Sequence, residues 1–212
     1  MDMKVLVAGA NGHTGRLILQ YLVERGHDAY GMVRQEQQAP ELKNLGAKIV
    51  VGDLEKDVTD QVDGMDAVIF AAGSGSKTGP EKTKDVDRNG AIHLIDTAKK
   101  LGVNRFIMLS SIFADQPDVA DGTFGYYLQM KGEADEYLRN SGLVYTIVRP
   151  GGLTHEAPAG KVNAAEDVER GTISRDDVAN VIVTSLEEQN TYNKSFDLIE
   201  GQVEIPTALK NI

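Results

Sequence analysis

The sequence predicts an α/β chain built as a doubly wound parallel sheet with helices on both faces. Three observations carry this. Apolar runs of strand length recur along the 212 residues, helix-period segments lie between them, and the runs are apolar throughout rather than alternating. Continuous apolarity is what a parallel strand needs when helices cover both of its faces. Repeated strand–helix units then wind such a sheet.

The strand-like runs are Val5–Ala8, Ala29–Val33, Ile49–Val51, Ala67–Ala71, Phe106–Leu109, Tyr145–Val148 and Phe196–Ile199. After the first run, Leu17, Ile18, Tyr21 and Leu22 follow the spacing of one buried helical stripe. Ala91 to Leu101 repeats the pattern with Ile92, Ile95, Ala98 and Leu101, and Gly102 supplies a C-cap. Near the C-terminus Val178, Val181, Ile182 and Leu186 form another stripe, opened by Ser174-Arg175-Asp176-Asp177, which fits a capping box. The length suits a single domain spanning residues 1–212. The least regular stretches are Gly73–Glu81, Asp115–Thr123 and Gly151–Gly171. Ligands of such sheets bind beyond the carboxyl ends of strands, so these stretches are expected to hold a substrate, with 151–171 as a substrate-facing loop.

Composition excludes several classes. Apolar content of 41% with 25% charged residues is that of an ordinary globular chain. A net charge of -10, from 32 acidic against 22 basic residues, argues against nucleic-acid binding through phosphates. There is no cysteine, which excludes disulfides and thiolate metal sites and fits a reducing cytoplasm. No apolar run reaches the roughly 18 to 20 residues that span a bilayer, and no signal peptide is recognised. The Asn193-Lys194-Ser195 sequon is therefore expected to stay unmodified. His13, His27, His93 and His155 show no metal-ligand spacing.

The first loop carries the chemistry. Gly9-x-x-Gly12-x-x-Gly15 follows a strand and opens a helix. Glycine lets the backbone turn sharply and approach a pyrophosphate, which the N–H groups and dipole of the next helix attract. The alternative is a tight strand-to-helix turn with no ligand. About 20 residues past such a loop an acid marks NAD and an arginine accommodates the 2′-phosphate of NADP. Here the second run ends in Arg34, which points to NADP, with NAD the weaker expectation. Asp53, in "VVGDLEKD", is read either as an adenine contact or as a helix cap.

A second constellation lies in "GYYLQMKGEADEYL". Tyr127 and Lys131 stand at i and i+4, on one face of a helix. A lysine ammonium beside a phenol favours the phenolate, lowering a pKa that is about 10 when unperturbed and making a proton carrier. Ser110 and Ser111 close the fifth run, where one hydroxyl is placed to bond a substrate carbonyl and the other to satisfy backbone. Arg149-Pro150-Gly151 ends the sixth run, the proline stopping the ladder.

As an ordered set, "VAGANGHTG", "MVR", "GDL", "GVNRFIMLSS", Tyr127-x-x-x-Lys131, "VRPG" and "ISRDDVA" resemble the atypical short-chain dehydrogenase/reductases. The resemblance is in particular to the compact NAD(P)-binding proteins related to biliverdin-IX-beta reductase and to the NmrA-like regulators. The resemblance implies a Rossmann-type fold in which Gly9, Gly12 and Gly15 cradle the pyrophosphate and Asn11, His13 and Thr14 add backbone contacts. It implies Arg34 on the 2′-phosphate, Asp53 and Leu54 near the adenine, and Ala71, Ala72 and Gly73 lining the cofactor cleft. Ser110 and Pro150 belong to the same expected cofactor set. Ser111 would polarise a carbonyl, Tyr127 exchange its proton, and Lys131 hold the nicotinamide ribose. Two features depart from the family pattern. Asp87 stands where extended members carry an asparagine, and an acid cannot copy an amide's donor role. The segment after Gly151 is too short for a nucleotide-sugar domain. Three readings follow: an NADP-dependent oxidoreductase acting on a small carbonyl or ring substrate, a redox sensor read by a protein partner, and a compact NAD-dependent epimerase or dehydratase. A homo-oligomer is compatible with each.

Overall fold

The computed structural model describes residues 2–75 and 78–212. In chain order the elements are β1 (Lys4–Ala8), α1 (His13–Glu24), β2 (Asp28–Val33), α2 (Ala39–Lys43), β3 (Lys48–Val51), α3 (Thr59–Val62) and β4 (Ala67–Phe70). Then come α4 (Pro80–Thr83), a π-helical stretch (Lys84–Gly90), α5 (Ala91–Leu101), β5 (Arg105–Leu109), α6 (Gly122–Arg139) and β6 (Val144–Pro150). The C-terminal part holds β7 (Gly152–Thr154), β8 (Lys161–Ala165), β9 (Thr172–Ser174), α7 (Arg175–Ser185), β10 (Lys194–Glu200), β11 (Val203–Glu204) and α8 (Ile205–Lys210).

Nine strands form one sheet in the order β11-β8-β10-β6-β5-β4-β1-β2-β3. From β3 to β10 every pairing is parallel, and β8 joins β10 antiparallel. The order reverses between β1 and β4, which makes the crevice above their carboxyl ends the place where a doubly wound sheet binds ligands. The predicted fold class is the observed one, and its physical reason is visible in β1. Val5 and Val7 pack in a core with Ile18 and Leu22 of α1 and Val178, Val181 and Ile182 of α7. Leu6 and Ala8 pack on the opposite face with Val62, Leu94, Ile95 and Leu138. Each strand residue is buried on one side or the other, so none can be polar without cost.

Local signals act as their chemistry requires. Gly102 ends α5 at φ 74°, the left-handed cap predicted for it. Ser174 caps α7, accepting the Asp177 N–H at 3.0 Å and donating its hydroxyl to the Asp177 carboxylate at 2.8 Å. That carboxylate also accepts from Ala159 and Gly160, tying the β7–β8 connection to the helix start.

The Gly151–Gly171 segment differs from its predicted form. It contains β7, which pairs with β9 in a small second sheet, and β8, which joins the edge of the main sheet. A short antiparallel strand outside the helix-covered parallel region buries only alternate residues, as in the half-polar Lys161-Val162-Asn163, so it lacks the continuous apolar run that marks the other strands. Ser76 and Lys77, within the predicted Gly73–Glu81 stretch, lie outside the described residues.

Candidate functional site

The three glycines of the first loop have different tasks. Gly9 has φ +86°, and a Cβ there would stand 2.5 Å from the Ala72 backbone, so glycine is what lets β1 and β4 close at the switch point. A Cβ on Gly15 would meet the Gly9 carbonyl, so this glycine seats α1 against the loop. Gly12 is extended at the N-cap of α1 with φ -71°, and its N–H donates to Gly9 at 3.0 Å. No side chain caps α1, and its first turn holds no acid. The free N–H groups of a 12-residue helix therefore open on the crevice, a fitting seat for an anion.

Gly12, Ala71, Ala72, Gly73 and Ser74 form the shared wall of two cavities. One, of about 370 Å³, reaches toward the ends of β2 and β3 and is lined by Gly9, Asn11, Met32, Arg34, Asp53 and Leu54. The other, of about 570 Å³, reaches toward β5 and α6 and is lined by His13, Thr14, Gly15, Ser110, Tyr127 and Lys131. Two lobes meeting over a helix N-terminus match the shape of a dinucleotide, whose two nucleosides flank a pyrophosphate. Among the described residues no group of three or more His, Asp or Glu is placed to hold a metal ion. No helix among them is long and apolar enough to cross a membrane.

Most predicted site residues meet in this trench, with refinements. Asn11 lines the smaller lobe, but its side-chain oxygen accepts from Arg16 at 2.6 Å and so stiffens the loop. Asp53 accepts the Glu55 N–H at 3.1 Å, bracing its own turn rather than capping a helix, since α3 begins only at Thr59. Ser110 gives its hydroxyl to the buried Asp135 at 2.8 Å. Pro150 lines neither cavity, and its carbonyl accepts the Ile112 N–H at 3.0 Å.

The Tyr127 environment corrects one expectation. Ser111 beside Tyr127 favours the phenolate, but burial, with the Asp87 and Asp135 carboxylates, raises the phenol above its ordinary value. Lys131 does not lower it. The ammonium is buried and donates to the Leu109 carbonyl at 2.7 Å, 5.4 Å from the Phe70 ring centroid. Burial lowers the Lys131 pKa, with Asp87 and Asp135 opposing. Sharing a helical face did not make the two groups partners, because the strand carbonyl outcompetes the phenol for the ammonium.

Asp87, on the π-helical stretch, is buried and accepts the Ser74 N–H at 3.0 Å. The task here is that of an acceptor, holding the loop after β4, so an acid serves where a donor is not required. Its charge then acts on Tyr127 and Lys131. π-Helical turns recur at functional sites because they re-aim side chains.

Sequence reasoning missed several wall residues. Phe124 is 53% exposed at the cavity and stacks on Tyr127 with centroids 6.1 Å apart and planes 18° from parallel. Arg175 lines the same lobe and donates to the Leu153 and Thr154 carbonyls. His13 meets His155 edge to face at 4.9 Å, joining the glycine loop to the β7–β8 connection. Asp135 was legible as Tyr127-x-x-x-Lys131-x-x-x-Asp135, a single helical face; Arg175 lay inside a motif read only for capping.

Behind the wall, fully buried Asp135 accepts Arg149 Nε at 3.0 Å, and Arg149 Nη1 reaches Asp115 at 2.7 Å. Asp197 faces Arg149 in strand register, and burial, partly opposed by Arg149, pushes its carboxyl up to about 6. The folded state therefore holds this proton more tightly than an unfolded chain, whose Asp titrates near 4. Stability falls as pH rises from about 4 through 6, and the cost is complete above that. Asp197→Asn is expected to raise the melting temperature at pH 8 by a few degrees and to leave it nearly unchanged at pH 4, as calorimetry at both pH values would show.

A doubly wound sheet with a glycine-loop helix N-terminus over a two-lobed crevice defines a dinucleotide-binding protein. The chain belongs to the NAD(P)H-binding family of atypical short-chain dehydrogenase/reductases, whose profile matches residues 9–189. It is 44% identical to a Bacillus subtilis protein called an uncharacterized sugar epimerase, over 99% of this chain and 100% of that one. A Bacillus halodurans structure titled a putative NAD-dependent epimerase/dehydratase superposes with a TM-score of 0.96 at 43% identity, covering 99% and 100% of the two chains. Sanguinarine reductase from Eschscholzia californica is 31% identical, over 92% of this chain and 88% of its own length.

Proposed function

We propose that this chain is an NADP(H)-dependent reductase of small, flat carbonyl or ring substrates, with Tyr127 as the proton donor. The carrying observation is the phenol itself. It stands in the wall of the larger lobe beside Ser111, and is kept protonated by burial and by Asp87 and Asp135. A group held in its acid form is suited to giving a proton. When bound, the dinucleotide supplies a hydride, and the protein supplies orientation and electrostatics.

The wall supports the remaining roles. The Phe124–Tyr127 stack offers a planar aromatic surface on which a flat substrate lies against the donor. Ser111, beside the phenol, would help hold the accepting atom of the substrate. Lys131, anchored on Leu109, places a cation deep in the lobe, where the ribose of the reacting nucleoside would lie. Arg34, exposed at the far lobe, provides the charge that favours a 2′-phosphate. The sanguinarine reductase likeness fits the reducing direction.

The relatives with epimerase titles favour a second reading, NAD-dependent epimerisation. Removing a hydroxyl proton requires a base, and the raised phenol is the wrong form for it. A calorimetric titration with NADPH, NADP, NADH and NAD tests the choice. Arg34→Ala is expected to weaken NADPH about 10-fold and NADH less than about 2-fold, from loss of a charge-assisted contact. Equal wild-type affinity for the phosphorylated and unphosphorylated dinucleotides would overturn the NADP assignment. NADPH consumption with conjugated carbonyl and neutral imine compounds, each of which takes up a hydride and a proton, then tests reduction, and its absence across that panel would overturn the reductase reading.

A further inference from the structure

The smaller lobe carries an ion pair that the proposed chemistry does not use. Lys82, on α4, donates to both carboxylate oxygens of Glu55 at 2.7 and 3.0 Å, and both residues line the cavity. Glu55 comes from the turn after β3 and Lys82 from beyond β4, so the pair ties together two segments of the lobe's wall. Lys82 also interacts electrostatically with Arg34. Arg34 and Lys82 are the cations among the described residues lining this lobe.

Resting on the NADP reading above, we propose that Lys82 is a second cation for the 2′-phosphate, and that Glu55 holds it ready in the absence of that group. A phosphate monoester with its second ionisation near 6 carries close to two charges at neutral pH, and one guanidinium matches about half of them. The surrounding field is adverse, because the chain carries a net charge of -10, so binding depends on local cations. Asp53 is committed to its own turn and Glu55 to Lys82, which leaves Glu55 as the group a phosphate must displace. Exchanging one carboxylate partner for a doubly charged phosphate favours the phosphate. With NAD, whose ribose lacks that group, Lys82 stays on Glu55. Discrimination then comes from an exchange of partners as well as from Arg34.

Titration calorimetry of NADPH and NADH with wild type, Lys82→Gln and Glu55→Gln tests this. Lys82→Gln is expected to weaken NADPH by about 5-fold and to leave NADH within about 2-fold, the modest size reflecting partial exposure. Glu55→Gln is expected to tighten NADPH slightly, because Lys82 is released, and Lys82→Gln to show the shallowest loss of NADPH affinity with added salt of the three. Melting curves confirm that these surface changes leave the fold intact. An equal loss for both cofactors, or none for either, in Lys82→Gln would overturn the proposal, as would a Glu55→Gln that weakens NADPH as Lys82→Gln does. If wild type prefers NADPH while Lys82→Gln keeps the same ratio, only the Lys82 assignment falls. If wild type shows no preference, the NADP reading falls with it.

Discussion

Replacing Tyr127 with phenylalanine is expected to lower NADPH-dependent turnover by about 10²- to 10⁴-fold, the usual contribution of a positioned proton donor. NADPH affinity should stay within about 2-fold, since the phenol lines the lobe away from Arg34 and the ring remains to stack on Phe124. Single-turnover oxidation of bound NADPH, with a substrate the wild type reduces, separates the two quantities. The pH dependence carries a second check. Because burial and the Asp87 and Asp135 carboxylates raise the phenol, the donor stays protonated through the neutral range, and the rate should show no phenol ionisation below about pH 9. Asp87→Asn removes one of those charges, so the alkaline fall in its rate should begin at lower pH than in the wild type. Turnover unaffected by Tyr127→Phe would remove the tyrosine from the mechanism.

Arg149→Met is expected to cost about 3–5 kcal/mol of folding stability, the size found when one partner of a buried ion pair is removed. Asp135 is fully buried, its Oδ1 has no hydrogen-bond partner, and Oδ2 receives Arg149 and Ser110. Without the guanidinium a buried carboxylate keeps one hydroxyl donor. Its proton affinity, already raised by burial and restrained by Arg149, then rises further. The folded variant holds that proton more tightly than the unfolded chain, so the deficit is largest at neutral pH and shrinks as pH falls toward 4. Urea unfolding at pH 8 and pH 5 should show the gap to wild type narrowing. Adding Asp135→Asn to Arg149→Met should recover part of the loss at pH 8 and little at pH 5. A loss below about 1 kcal/mol at pH 8 would mean that water, rather than Arg149, solvates Asp135.

The two variants act on opposite sides of one wall. Ser110 and Ser111 are adjacent, yet Ser110 donates to the Asp135 carboxylate while the Ser111 hydroxyl, near Tyr127, donates to the Ile112 carbonyl at 3.3 Å. Successive residues at a strand end point to opposite sides, and that alternation gives the two hydroxyls different partners. The sequence reading that one of the two serves the backbone fits Ser111, whereas the partner of Ser110 was not legible, since Asp135 comes from a helix 25 positions on.

What the sequence determined by itself was everything set by near neighbours. The continuous apolar runs specified strands covered on both faces, the glycine spacing specified a strand-to-helix turn with an open helix N-terminus, and Ser174 and Gly102 marked helix ends. These follow from backbone sterics and the two periodicities, which act over a few residues. Tyr127 and Lys131 were likewise placed on one face by counting. Only the tertiary structure decided what those groups do. Lys131 turned to the Leu109 carbonyl, and the phenol rose rather than fell. Phe124, Arg175 and Lys82 joined the walls, while β7 and β8 took shape within a segment whose pattern read as a loop. The physical reason is that desolvation and Coulomb interactions depend on distance in space. Asp87 lies on a π-helical stretch 40 residues before Tyr127, and no local pattern of residues records that the fold brings its charge to the phenol.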